Sequence, residues 1–294
     1  MRAFITGSEG FVGKHLTELL EKEGMEVTGF DLVNGQDVTT NMLKEELAKC
    51  RPNYIFHLAA VTSVADSFTN PLGCMATNIG GSVNLLEAVR ELDLTCNVLL
   101  ASSTEVYTPA IDDTPLDVGS SVQPRTPYGV SKLAMEQMGA IYAGSHKIHV
   151  VVTRTNNHTG PGQDGPFALT SFARQIVSIE RGKQDVLEHG DLSSYKSYLD
   201  VRDVVRAYRL AIDLEPFIYN VTSEETHSMK ELLDYLVLQA RDPIIRSQST
   251  ALMRLYKSDK TIYKTSSKLK DAGWVREYNL KRTLNDVLEY WRTR

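Results

Sequence analysis

Residues 2–13 read Arg2-Ala3-Phe4-Ile5-Thr6-Gly7-Ser8-Glu9-Gly10-Phe11-Val12-Gly13. A short apolar run, Ala3 to Thr6, has strand character, and three glycines spaced three apart follow it directly. Beyond them Val12, Leu16, Leu19 and Leu20 recur at helical spacing until Gly24 stops the pattern. A strand, a glycine turn and a helix in that order suit a dinucleotide. Gly7 permits the tight turn, Gly10 lets backbone N–H groups approach a pyrophosphate, and Gly13 lets helix and strand pack closely, while the helix N-terminus adds positive potential. Asp31 ends the next strand, Val27 to Phe30. A carboxylate there accepts hydrogen bonds from the adenosine ribose hydroxyls and repels a 2′-phosphate, so NAD(H) is expected in preference to NADP(H).

Outward from this stretch, strand and helix patterns alternate. Strands are expected at Tyr54 to Leu58, Val98 to Ala101 and His149 to Thr153, with a vestigial strand at Asp37-Val38. Helices are expected near Leu43 to Leu47, Val83 to Leu92 and Pro127 to Tyr142. Parallel strands joined by helices imply an α/β fold with a doubly wound sheet and ligands at the carboxyl ends of its strands. Beyond residue 155 the rhythm changes. Loops around Gly160-Pro161-Gly162 and Gly190-Asp191 separate helices near Leu169 to Arg181, Asp200 to Leu214, Ser228 to Ala240 and Leu280 to Trp291, and Ser228 with Glu231 forms a capping-box start. The expected organisation is a dinucleotide-binding domain over residues 1–155. A smaller C-terminal lobe over residues 156–294 would bind substrate mainly, with some elements returning to the main sheet.

The 294 residues and 42% hydrophobic content suffice for a full core. Cys50, Cys74 and Cys96 are too far apart for a zinc site and too few for a disulfide framework, so no metal is expected. The net charge of -5, with no block of Lys and Arg, argues against a nucleic-acid partner. No run approaches the roughly 20 apolar residues of a membrane span, and the N-terminus lacks the apolar stretch of a signal peptide, which makes the cytoplasm the expected location.

Tyr128-Gly129-Val130-Ser131-Lys132 sets a phenol and an ammonium four residues apart on one helix, projecting from the same face, with Pro127 suited to its first turn. The lysine charge is expected to favour phenolate, letting the tyrosine exchange a proton with a substrate hydroxyl or ketone near neutral pH, and the ammonium can also hold a nicotinamide ribose. The strand Val98 to Ala101 runs into Ser102-Ser103-Thr104-Glu105, which places Ser103 to hydrogen-bond the same reacting oxygen. His57 and His158 read as packed or loop histidines.

With these residues in view the chain resembles the extended short-chain dehydrogenase/reductase (NAD-dependent epimerase/dehydratase) family along its whole length. Matching segments include His57-Leu58-Ala59-Ala60, Asn78 with Gly81, Ser102 to Tyr107, Pro127 to Lys132, Arg154 to His158, Asp200 to Val204, and Gly273-Trp274. Within it the nearest resemblance is to the GDP-4-keto-6-deoxymannose reductases, through Ile55 to Ala60, His158 to Gln163 and Phe172 to Ile176. The resemblance implies a Rossmann-type sheet, with Phe11 and Val12 at the cofactor beside the glycines. Leu58, Ala59 and Ala60 would line the cofactor, Asp37 and Val38 would flank adenine, and Thr155 would sit by the nicotinamide. Asn157 would bind the diphosphate of a nucleotide sugar, with Lys196 standing where relatives carry Arg. Ser63, Arg174 and Arg254 are further substrate candidates. Relatives carry Asn at position 191 and Arg-Asp-Phe at 196–198, where this chain has Asp191 and Lys196-Ser197-Tyr198.

The activity so implied is reduction of the C4 ketone of a 4-keto-6-deoxy sugar nucleotide, with Tyr128 as proton donor and Ser103 polarising the ketone. The nearest rival is a 4,6-dehydratase, in which Glu105 abstracts the C5 proton; a 4-epimerase and a non-enzymatic NAD-binding scaffold follow. The resemblance also implies a homodimer, the Tyr128 helix and the helix before it pairing into a four-helix bundle.

Overall fold

The computed structural model describes residues 1–110, 112, 114–252 and 260–294. Its centre is a six-stranded sheet of β1 (Arg2–Thr6), β2 (Glu26–Phe30), β3 (Tyr54–His57), β4 (Asn97–Ser103), β5 (His149–Thr155) and β6 (Ile218–Val221). Every pairing is parallel and the spatial order is β6-β5-β4-β3-β1-β2. The chain reverses direction in the sheet between β1 and β3, whose carboxyl ends carry Gly7 and Leu58.

Alternation along the strands builds a core on each face of the sheet. Ala3, Ile5, Phe56 and Leu99 pack with Leu16, Leu20, Val204 and Tyr208 on one side. Phe4, Ile55, Val98 and Leu100 pack with Leu85, Leu86 and Met135 on the other. Buried on both faces, these strands read as continuous apolar runs, which is why their positions were legible. A third core belongs to the C-terminal half, where Phe172, Ile176, Leu233, Leu236, Leu284 and Leu288 join the helices Ala168–Glu180, Met229–Leu238 and Leu280–Arg292. The capping box expected at Ser228 is formed, Glu231 N donating to Ser228 Oγ and Ser228 N to the Glu231 carboxylate.

One expectation needs correction, and one strand was not anticipated. Asp37-Val38 is not a strand: Asp37 Oδ1 accepts from Thr39 N at 2.9 Å and from the Thr39 hydroxyl, closing a turn, and Val38 drops beneath Gly81. β2 is therefore the sheet edge. β6 went unanticipated because it is four residues long with a polar Asn220 at its centre. That side chain is fully buried, accepting from Tyr107 Oη and donating to the Lys264 carbonyl. β6 comes from the C-terminal half yet lies in the main sheet.

The Asp200 to Val204 and Gly273-Trp274 segments meet. Buried Asp203 accepts from Glu277 N and Tyr278 N at 3.0 Å each, and Trp274 Nε1 donates to its carbonyl. Both motifs are a clasp between the C-terminal segment and the helix Val201–Ala211.

Candidate active site

The glycine loop is shaped by contacts that only glycine tolerates. Gly7 has φ +75°, and a Cβ there would stand 2.8 Å from Ala59 N; a Cβ on Gly13 would stand 2.1 Å from Gly7 O. Gly10 is the N-cap of the helix Phe11–Lys22 and no side chain caps its first N–H groups. That exposed N-terminus, beside glycines whose close backbone contacts leave no room for a Cβ, fits a dinucleotide pyrophosphate. Phe11 stacks on His158 with centroids 6.2 Å apart, and Val12 packs into the core. Buried Asp31 accepts from Glu9 N at 2.9 Å and from Val33 N at 3.0 Å, tying the loop to the end of β2.

Leu58, Ala59 and Ala60 leave β3 beside this loop. They are tethered by Asn78, which accepts from Val61 N at 2.8 Å, donates to Val61 O at 3.1 Å and reaches Ser131 Oγ at 2.8 Å. Asn78 sits in a single π-helical turn, Ala76–Gly80, an irregularity of the kind common at functional sites. In the sequence it stands out only as a matching residue without a role, since its partners lie far away along the chain. His57 bridges Thr6 Oγ1 at 2.8 Å and Ser82 Oγ at 2.9 Å. Ser82 spends its proton on the Asn78 carbonyl, so His57 Nε2 is the donor to Ser82 and Nδ1 accepts from Thr6. Burial pushes this imidazole down to about 3, a neutral packed histidine. Burial also lowers His158.

The proposed proton-transfer residues converge from two elements. Ser103 ends β4 opposite Thr155 of β5, and its Oγ accepts from Glu105 N at 3.2 Å. Thr155 Oγ1 is 2.9 Å from Tyr208 Oη. Tyr128 lies in the first turn of the helix Pro127–His146, which Thr126 caps by accepting from Gly129 N at 3.0 Å. A Cβ on Gly129 would stand 2.6 Å from Glu105 O, so glycine is what lets this helix approach the Ser103 turn. Lys132 is buried, donates from Nζ to the Ala101 carbonyl at 2.7 Å, and lies 5.9 Å from the centroid of the Tyr128 ring.

The electrostatics run opposite to expectation. Burial raises the Tyr128 phenol above its ordinary value, with the Glu105 carboxylate adding to the rise and the Ser103 hydroxyl opposing it. Burial also lowers Lys132 to about 8. The ammonium is aimed at a carbonyl rather than at the phenolic oxygen and loses part of its own charge near neutral pH. Tyr128 accordingly keeps its proton more firmly than a free phenol does.

A cleft beside this pair is lined by Thr104, Glu105, Tyr107, Asn157, Lys196 and Tyr263, among others. Lys196 Nζ lies 3.4 Å from Glu105 Oε1, each side chain about one-fifth exposed. Two residues read as having separate tasks are thus paired with each other. Asn157 enters through a short strand, Asn157–Thr159, paired with Tyr198–Asp200. The other substrate candidates do not join them. Ser63 caps the helix Val64–Thr69, accepting from Asp66 N. Arg174 pairs with Asp164 at 2.9 Å on the surface and lies over Trp291. Arg254 lies outside the described residues.

A doubly wound parallel sheet with a glycine cradle and a Ser103, Tyr128, Lys132 cluster at its carboxyl edge defines an enzyme of the extended short-chain dehydrogenase/reductase type. The chain belongs to the GDP-mannose 4,6-dehydratase family, whose model matches residues 30–285. It is 33% identical to GDP-6-deoxy-D-mannose reductase of Pseudomonas aeruginosa over 100% of this chain and 98% of that one. It is 26% identical to GDP-mannose 4,6-dehydratase of Vibrio cholerae over 79% of this chain and 70% of the other. The solved structure of RMD from Pseudomonas aeruginosa complexed with NADPH matches with a TM-score of 0.88 at 31% identity, covering 99% of both chains. UDP-glucose 4-epimerase of Thermus thermophilus, in complex with NAD, matches with a TM-score of 0.89 at 25% identity, again covering 99% of both. No helix among the described residues is long and apolar enough to cross a membrane.

Proposed function

We propose that this enzyme reduces the C4 ketone of a GDP-linked 4-keto-6-deoxy sugar. The observation that carries the reading is the end-to-end likeness to a GDP-6-deoxy-D-mannose reductase, joined to a site that brings Ser103, Tyr128 and Lys132 together. Gly7, Gly10, Gly13, Phe11, Val12 and Asp31 would hold the pyrophosphate and adenosine ribose, Asp37 and Val38 the adenine, and Leu58, Ala59, Ala60 and Thr155 the nicotinamide side. The nicotinamide supplies a hydride when bound. Ser103 polarises the ketone, Tyr128 gives its phenolic proton to the C4 oxygen, and Lys132 both orients the nicotinamide ribose and stabilises the phenolate left behind. Asn157 and Lys196 would take the diphosphate.

The assay is direct. Purified protein given a GDP-4-keto-6-deoxy sugar should oxidise added NADH or NADPH and yield a 4-hydroxy product. Conversion of GDP-mannose to a 4-keto-6-deoxy product without added reductant would replace this reading with the dehydratase, whose specific support is Glu105 beside Tyr128. Glu105→Gln separates the two: a reductase keeps about a third of its turnover or more, whereas a dehydratase losing its base drops about 100-fold.

Finer assignments follow the same reading. NAD(H) is favoured over NADP(H) by Asp31. Residues 1–155 form the cofactor-binding unit and 156–294 mainly the substrate lobe, a division that limited proteolysis would contradict by cutting within either unit first. A homodimer forms through the helices Gly81–Glu91 and Pro127–His146, the latter presenting Val130 and Ile141 about half exposed, at 45% and 54%. A monomeric mass at sedimentation equilibrium would exclude it. The enzyme works in the cytoplasm, and recovery in the membrane fraction would count against that.

A further inference from the structure

Glu136 stands one helical turn beyond Lys132 and two beyond Tyr128, so the three side chains share a face of the helix Pro127–His146. Glu136 and Arg154 are each 4% exposed. Arg154 Nε donates to Glu136 Oε1 at 3.0 Å and Nη2 donates to Oε2 at 2.7 Å, a two-pronged contact. The Ser102 hydroxyl also donates to Oε1. Ser102 separates Ser103 from Ala101, whose carbonyl accepts a hydrogen bond from Lys132 Nζ. Arg154 precedes Thr155 on β5, and its guanidinium carbon lies 4.8 Å from the centroid of the Tyr107 ring, in the cleft wall.

A buried ion pair is a poor means of stabilising a fold, because desolvation offsets the attraction and an apolar pair of similar volume does as well. Here Arg154 Nη1 is also buried without a partner. The arrangement calls for a role other than stability, and its connections supply one.

We propose that Glu136 and Arg154 are positioning residues for the Tyr128 and Lys132 pair. The Glu136 carboxylate is the counter-charge that keeps Lys132 an ammonium, and the two-pronged contact locks the triad helix to the strands carrying Ser103 and Thr155. The groups facing Lys132 are Tyr128 and Glu136 on its own helix, Cys74 from the helix Pro71–Met75, His57 from β3 and the Ala101 carbonyl from β4. His57 is neutral. Burial drives the Lys132 ammonium down, and Cys74 and Glu136 oppose it. Removing the Glu136 charge leaves burial less opposed and Arg154 unneutralised, so Lys132 loses its proton at lower pH.

The proposal rests on Tyr128 and Lys132 being the reacting pair, and one arm of its test is independent of substrate. In [15N]lysine-labelled protein, the Lys132 ammonium is assigned by its loss in Lys132→Met and titrated by NMR in wild type and Glu136→Gln. The midpoint should fall by about one pH unit in the variant. Turnover of the keto sugar at neutral pH should fall about tenfold, with KM changed less than about twofold. A folded Glu136→Gln in which Lys132 titrates as in wild type and turnover is unchanged would overturn the proposal. Should that variant not fold, Glu136→Met combined with Arg154→Met removes both charges together, the exchange that buried pairs tolerate best. Its midpoint and turnover should drop in the same direction, and wild-type values there would equally overturn it. If the wild type reduces no keto sugar, the reductase reading fails while the Lys132 titration still decides this one.

Discussion

The proposed cofactor cradle and the proposed substrate cleft lie at the same carboxyl edge of the sheet but are built in opposite ways. The cradle is nearly contiguous: Gly7, Gly10, Gly13 and Asp31 lie within the first βαβ unit, and their partners are backbone groups such as Glu9 N and Val33 N. The cleft gathers Glu105, Asn157 and Lys196 from three separate segments, and its central contact spans 91 residues. Backbone-defined sites leave a glycine pattern in the sequence. Sites defined by side-chain convergence leave only single residues, whose partners the fold chooses.

If the two regions have separate tasks, changes in each should separate binding from chemistry. The largest effect is expected from Tyr128→Phe. Cofactor affinity should stay nearly intact while kcat falls about 100-fold or more, because only the proton donor is removed. Stopped-flow turnover alongside a cofactor titration measures both, and more than half of wild-type kcat would remove Tyr128 from the chemistry.

Lys132 links the regions, and pH exposes the link. With the ammonium lowered to about 8 against an ordinary 10.5, the unfolded chain binds more protons than the folded one between those values. Folding stability attributable to Lys132 should therefore rise as pH climbs through that window, by up to about 3 kcal/mol, while turnover falls about tenfold for each pH unit above about 8. Denaturant unfolding of wild type against Lys132→Met across pH 7 to 10.5 isolates the first half: the wild type should gain on the variant as pH rises, and a wild type that instead loses ground to it would reverse the sign.

The smallest effect lies wholly within the cradle. If Asp31 brings its carboxylate to the ribose, as proposed, with apolar Leu32 beside it, NAD(H) should bind about tenfold more tightly than NADP(H), a difference of about 1.4 kcal/mol. Asp31→Ser with Leu32→Arg should narrow or reverse it without changing KM for the sugar. Equal affinities by calorimetry in the wild type would mean that Asp31 serves only to hold Glu9 N and Val33 N.

Much of this molecule was legible in the order of its residues. Apolar runs announced five of the six strands, the inner ones buried on both faces and β2 at the edge, and glycine spacing after β1 announced the cradle. The Tyr128 and Lys132 spacing and the Ser103 strand end foretold residues that do come together. β6 escaped because its buried Asn220 breaks the apolar pattern, and the expected strand at Asp37-Val38 dissolved because Asp37 closes a turn on Thr39. By itself the sequence determined what depends on local geometry: the period of burial, the turns that only glycine allows, and residues spaced to share one helical face. Tertiary structure alone decided which charges became partners. The pairings of Glu105 with Lys196 and Glu136 with Arg154, the raised phenol of Tyr128 and the diversion of Arg174 to Asp164 all follow from desolvation and distance between segments remote in the chain.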